Sequence, residues 1–251
     1  MIDTHSHIYE SYYKNRVDDV IKDALDDKVK YIICCGVDKE TSYESFHLAE
    51  KYNEVFFSGG IFPTESFDND YSFLDELIKS KKMVAIGECG IDLHYENSNL
   101  EDQKNRFETQ IKYAISHDLP VIIHSRDAFN ETYEIIKKYK GKLRGVIHCF
   151  SYGFQELSKF LELGLYIGID GPITYKNNDK LREIIKKIPL NRLLLETDSP
   201  YLTPVPYRKL MNETKYIKNI YLYVSIALSV DFNNFVDIIR RNALALFSKI
   251  K

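Results

Sequence analysis

The chain has 251 residues, 44% hydrophobic and 28% charged, with a formal net charge of −3. The length suits one large domain, and the composition is ordinary for a globular protein. That charge excludes a general attraction for nucleic acid, so a polyanionic substrate needs a local basic or metallic site.

Taken in order, the chain opens on Met1-Ile2-Asp3-Thr4-His5-Ser6-His7. On an extended segment side chains alternate, so His5 and His7 share a face with Asp3, while Ile2 and Thr4 point the other way. Two neutral imidazoles side by side are a ready chelate for a divalent ion. Seven further strand-like runs follow: Lys30–Gly36, Val55–Ile61, Met83–Glu88, Pro120–His124, Gly145–Phe150, Leu165–Asp170 and Arg192–Asp198. Most are continuous apolar runs, the mark of strands buried on both faces of a parallel sheet.

Amphipathic helices are expected between them. Val17, Val20, Ile21, Ala24 and Leu25 form the first stripe. Thr41-Ser42-Tyr43-Glu44 reads as a capping box opening the second helix. Stripes follow at Phe73–Ile78, Phe107–Ile115 and Leu157–Leu161, the last before a stop at Gly164. Another covers Leu181–Ile188, with Pro189 ending it. Two longer patterns, about Glu213–Leu228 and Phe232–Phe247, close the chain. Alternating strands and helices, repeated eight times, predict an α/β fold of one domain over residues 1–251, a (β/α)8 TIM barrel. Long loops are expected at Cys89–Asp102 and Pro200–Asn212, both after strand C-termini.

Cys34, Cys35, Cys89 and Cys149 form no C-x-x-C pair, and three lie in apolar runs, so free buried thiols in a reducing compartment are expected. There is no apolar run of spanning length, and a motif beginning at residue 3 leaves no room for a cleaved leader. A cytoplasmic protein that engages no membrane is expected.

Glu88, His124 and Asp198 end their runs, and His148 lies late in its own. With His5 and His7, six metal-ligand types fall at the C-terminal ends of five strands, which converge on one mouth in a barrel. Singly, each has a plainer reading. A histidine after Val-Ile-Ile is more often hydrogen-bonded core, Glu88 could be an ion-pair partner, and Asp198 before Ser-Pro could cap a turn. Their coincidence favours a metal centre, which compensates six groups that are costly to bury unpaired.

His5-x-His7, Gly87-Glu88-x-Gly90-Ile91-Asp92, His124-Ser125-Arg126-Asp127-Ala128, His148-Cys149-Phe150-Ser151 and Leu195-Glu196-Thr197-Asp198-Ser199-Pro200-Tyr201-Leu202 together resemble the TatD family of metal-dependent deoxyribonucleases, within the amidohydrolase superfamily. The resemblance runs from Asp3 to Asn242-Ala243-x-x-Leu246-Phe247. There are departures. The family's Gly-x-His-Pro-His after the third strand reads Gly60-Ile61-Phe62-Pro63-Thr64, Tyr152 precedes Gly153, and the Arg-Gly…Asn-Glu-Pro loop reads Arg208-Lys209…Asn212-Glu213-Thr214. These bear on substrate contacts and not on the six ligand candidates.

The resemblance implies a DNA substrate and a cofactor of two divalent ions, Zn, Mn, Mg, Fe or Co. His5, His7 and Asp198 would hold one ion, His124 and His148 the other, and Glu88 would bridge. Two such ions can clamp a phosphodiester and activate water. Asp198 is the candidate general base, beside Glu88 as the second catalytic carboxylate. Arg126 and Arg208 are candidate substrate contacts, and Glu196 is expected to support the ligands from behind. Tyr95, Tyr201, Tyr207 and Lys209 on the long loops are expected to hold neighbouring nucleotides. His47, His94 and His117 read as surface residues. No obligate protein partner is expected, and the protein is read as a monomer or weak oligomer. Two other readings compete: a small-molecule amidohydrolase or phosphotriesterase on the same barrel, and a barrel that binds without turnover. Several small-molecule members carry a carboxylated lysine on the fourth strand, where this chain has Glu88.

Overall fold

The structure, a computed structural model, describes residues 1–66, 69–95 and 99–250. Eight strands form one parallel sheet in sequence order: β1 Ile2–Ser6, β2 Tyr31–Cys35, β3 Val55–Gly59, β4 Met83–Asp92, β5 Val121–Arg126, β6 Gly145–Ile147, β7 Tyr166–Ile169 and β8 Leu193–Leu195. The seam between β8 and β1 is nearly closed. Ser6 and Ser199 form a parallel bridge. Beside it, Asp198 N donates to His5 O (3.0 Å) and His7 N to Ser199 O (2.7 Å). This is the (β/α)8 architecture that the alternation of apolar runs implies.

The runs fill two cores. Ile2, Ile33, Phe56, Val84, Ile122, Val146 and Leu194 pack in one cluster with Leu246, Phe247 and Ile250 of the C-terminal segment. A larger cluster joins strands to the surrounding helices. Buried polar residues gather near or just past the C-terminal ends of the strands, His5, His7, Glu88, His148 and Asp198 among them.

Several boundaries differ from the sequence reading, for identifiable reasons. β4 continues past Glu88 to Asp92, because Cys89–Asp92 pair with Ile123–Arg126 of β5. The expected loop at Cys89–Asp102 is therefore shorter; a helix starts at Leu100, and residues 96–98 lie outside the described residues. Gly87 (φ +134°) and Gly90 (φ +152°) make the close approach possible, since a Cβ at Gly90 would stand 1.9 Å from His124 O. β6 and β8 stop early, leaving His148 and Asp198 just beyond them. The second helix is Lys39–Lys51, capped by Asp38, whose carboxylate accepts from Thr41 N (2.7 Å); Thr41 is the third helical residue and not the cap. The helix after β7 is Asp179–Ile185 and ends before Ile188, with Pro189 opening a short 3-10 turn. Helices Glu10–Tyr13 and Phe129–Lys137 had no stripe assigned to them. Gly164 (φ +82°) does follow the end of its helix.

The alternation argument for β1 fails at Asp3. The pairing register shifts between Asp3 and Ser6. Asp3 turns from the histidines to the end of β8, accepting from Thr197 N (2.9 Å) and Thr197 Oγ1 (2.6 Å). Burial pushes its carboxyl up to about 7 against those hydrogen bonds. Among the described residues the four cysteines are free, three buried and Cys149 half-buried. No single described helix is long and apolar enough to cross a membrane.

Candidate active site

All six ligand candidates meet at the open end of the barrel, around Glu88. Its two oxygens face different partners. Oε2 lies 3.2 Å from His5 Nε2 and 3.5 Å from His7 Nε2, while Oε1 lies 2.9 Å from His124 Nδ1 and 3.1 Å from His148 Nε2. Asp198 Oδ1 joins the first pair, 3.5 Å from His5 Nε2 and 3.4 Å from His7 Nε2. The bulge in β1 and the positive φ of Asp198 (+55°) turn these side chains inward.

His5, His7 and His124 have a hydrogen-bonding partner on the far nitrogen, which fixes the one that faces the centre, and His148 has a carboxylate within ion-pair reach. Cys35 Sγ lies 3.5 Å from His5 Nδ1, and Cys35 O lies 3.0 Å from His7 Nδ1. His148 Nδ1 stands 3.4 Å from Glu196 Oε1, an oxygen that also accepts from Cys149 N at 2.7 Å. Gly168 on β7 makes room for that carboxylate, since a Cβ there would come within 2.5 Å of it. His124 Nε2 is held by Asp92 Oδ2 at 3.0 Å. Asp92 carried no role in the sequence reading, because ending β4 at Glu88 hid it. It stands four residues on, on the same face of the longer strand.

The donor set fits a divalent cation. His5 Nε2 and His7 Nε2 are 3.0 Å apart. Each also meets two carboxylate oxygens, mostly beyond ordinary hydrogen-bond reach. One proton can serve only one of these contacts, whereas a cation among them serves all. Groups able to hold a metal include His5–His7–Asp198 and His5–Glu88–His148. Mixed imidazole and carboxylate donors suit Zn, Mn, Fe and Co.

Electrostatics agree with mutual charge compensation. Burial would push Glu88 up, but His148, His5 and His124 outweigh it and hold the carboxyl well below its usual range. Burial likewise opposes ionisation of Asp198, and the His7 hydrogen bond and nearby imidazolium charge hold it low. For His148 burial disfavours the charge, yet Glu88 and Glu196 raise its pKa well above the usual histidine value. Without metal, these carboxylates favour the protonated form of His148. The stability this adds is complete below the ordinary histidine pKa and is lost as pH rises through the raised one. A ligand imidazole must be neutral, so metal affinity should rise over that same climb and binding should expel a proton. Calorimetry in buffers of differing ionisation heat measures this; identical heats in all of them near neutral pH would contradict it. Asp92→Asn should weaken metal affinity about 10–100-fold by freeing His124, read by competition with a chromophoric chelator.

The site floors a cavity of about 570 Å³ lined by His7, Glu88, His124, His148, Asp198 and Arg126, among others. Arg126 is exposed on its rim, its guanidinium 5.8 Å from the Tyr95 ring centroid. Tyr201 also lines it, whereas Arg208, Tyr207 and Lys209 do not. Arg208 instead stacks on Tyr175 at 3.7 Å, and Tyr207 stacks on Tyr216. His47 and His117 are exposed, and exposed His94 pairs with Asp127 at 3.0 Å. Beyond the sequence reading, Tyr9, Tyr12 and Phe62 line the wall.

The family profile for TatD related DNases matches residues 2–248. The chain is 34% identical to the uncharacterised metal-dependent hydrolase YabD of Bacillus subtilis, over 98% of each protein. It is 32% identical to the 3′-5′ ssDNA/RNA exonuclease TatD of Escherichia coli, covering 81% of this chain and 80% of that one. The crystal structure of the TatD homolog YJJV of Escherichia coli superposes with a TM-score of 0.93 at 28% identity, covering 99% of this chain and 98% of the other. With its histidines and carboxylates gathered at the barrel mouth, the chain belongs to the TatD family of metal-dependent hydrolases.

Proposed function

We propose that this chain hydrolyses phosphodiester bonds in DNA, removing nucleotides from single-stranded or frayed ends. The observation that carries the reading is Glu88, whose two oxygens face two separate histidine pairs on the floor of the cavity. That arrangement suits divalent ions: His5, His7 and Asp198 would hold one, His124 and His148 a second, and Glu88 would be available to either. Bound there, the ions would supply Lewis acidity and an activated water. Asp198 takes the proton from the attacking water, since its carboxylate is held ionised beside His5 and His7. Arg126, on the rim, meets a non-bridging phosphate oxygen. Glu196 places a carboxylate 3.4 Å behind His148 Nδ1. The Escherichia coli relative named as an ssDNA/RNA exonuclease supports this substrate class.

Among the described residues Arg126 is the one lysine or arginine lining the cavity. Few phosphates are then neutralised, and each contributes a salt slope of roughly −0.7 on a single strand. Binding to single-stranded DNA across a salt series should give a shallow slope; a steep slope with equal affinity for blunt duplex would reveal an extended basic surface. The deciding test is digestion of end-labelled single- and double-stranded DNA with a metal titration, run beside a panel of amides and phosphotriesters. Turnover of that panel with intact DNA would favour the small-molecule reading.

A further inference from the structure

The loop after β3 carries no ligand candidate, yet two buried side chains from another element are committed to holding it. Gln110, on the helix Leu100–Ser116, accepts from Ile61 N (2.8 Å) and donates to Ile61 O (3.1 Å). Arg106, one turn earlier and 6% exposed, donates to Pro63 O (2.9 Å) and Glu65 O (2.7 Å). Phe62 N donates to Val37 O at 2.7 Å, and Glu65 N donates to Phe62 O at 3.1 Å. Buried polar side chains are costly unless satisfied; the loop backbone partners Gln110 and, together with Asp102 at 3.0 Å, the terminal nitrogens of Arg106. What this clamp fixes is Phe62, whose half-buried ring lines the cavity edge-to-face with His124, centroids 4.6 Å apart.

A second aromatic group stands beside His7. The Tyr201 ring lies 6.3 Å from His7 and 5.7 Å from Tyr12, whose hydroxyl it meets at 2.7 Å. Aromatic rings thus accompany His124 and His7, the histidines that face opposite oxygens of Glu88. Beyond the candidate metal ligands the described residues of the cavity offer one cation, Arg126, beside the acidic Glu65 and Asp92, so this lining provides no basic track for a run of phosphates. Groups flanking one phosphate are better held by stacking, which accepts any base.

We propose that Phe62 is a fixed nucleobase platform, the specificity-determining residue that seats the nucleoside on the His124 side of the scissile phosphate, while Tyr201 and Tyr12 seat its neighbour on the His7 side. The substrate class is then the terminal two-nucleotide unit of an unpaired strand. A cavity of about 570 Å³ falls within the roughly 300–1,000 Å³ of small-molecule sites. The inference rests on the phosphodiesterase reading above and makes it more specific. Pre-organisation by Arg106 and Gln110 spares the ring the entropy of being ordered when the base arrives.

The test compares the 3′- and 5′-p-nitrophenyl phosphates of thymidine with methyl p-nitrophenyl phosphate, which share a leaving group. The protein should favour a thymidine ester in kcat/KM by about tenfold or more, the scale of one stacked base. Phe62→Ala should bring that preference close to unity. Phe62→Leu, which keeps apolar bulk without a π-face, should do the same, and Phe62→Trp should restore it. A loss shared equally by thymidine and methyl esters would mark a merely structural residue, and an unchanged preference with both isomers would overturn the proposal. If no ester is hydrolysed with any metal, the phosphodiesterase reading fails by itself. Calorimetric binding of thymidine 5′-monophosphate then decides the platform: about tenfold weaker binding by Phe62→Ala supports it, and equal binding overturns it.

Discussion

Glu88→Ala is expected to strip more metal from the protein than any other single substitution and to reduce hydrolysis by more than about a hundredfold. Changing a residue that merely supports a ligand typically costs 10–100-fold, and Glu88 is placed to serve both halves of the site. One oxygen faces His5 and His7, and the other faces His124 and His148. His124→Ala touches one half alone and should leave the His5, His7 and Asp198 group in place. Elemental analysis of the two variants side by side is the measurement, and equal metal loss would remove the case for bridging. Glu88 is also buried and is the largest influence favouring a charged His148, so its loss removes that compensation. A thermal melt of the metal-free variant separates that structural cost from metal loss.

Asp198→Asn removes the proposed proton acceptor and also weakens a candidate ligand, so metal content is measured beside activity and kcat is compared at saturating metal. The amide keeps the shape and one oxygen near His5 and His7 but cannot take a proton from water. General-base catalysis is typically worth about 10²–10⁴-fold, and kcat should fall by that order. Substrate affinity should change little, because Arg126 and the aromatic wall are untouched. A kcat within about tenfold of the parent would move the base to another group.

Much of this centre was legible because its residues interrupt apolar runs. Glu88 after Val84-Ala85-Ile86-Gly87 and His124 after Val121-Ile122-Ile123 are polar groups at the ends of buried strands, and such positions require a partner. Periodicity also located all eight strands, since parallel strands buried on both faces read as unbroken apolar stretches. It could not give their ends. β4 gains four residues from its pairing with β5, a tertiary effect, and Asp92 went without a role for that reason. Asp3 was grouped with His5 on strict alternation, which a single register shift overturns. Arg208 looked like a substrate contact from its loop alone, but the fold lays it on Tyr175, outside the cavity lining. The clamp of Arg106 and Gln110 on the Phe62 loop joins residues more than forty positions apart. No local pattern encodes it.

The seam between β8 and β1 has a consequence for biosynthesis. Asp3 grips Thr197 across 194 positions of sequence, and His5 and His7 meet Asp198 through the same junction. The histidines emerge from the ribosome first and wait for the last strand before they have a carboxylate to share. Joining elements so distant in sequence is among the slower steps in folding. A chain interrupted before β8 carries five of the six candidate ligands yet lacks Asp198, the group proposed to accept the proton. The site's last candidate ligand thus arrives only with the last strand, and a chain that stops before it holds an unfinished ligand set.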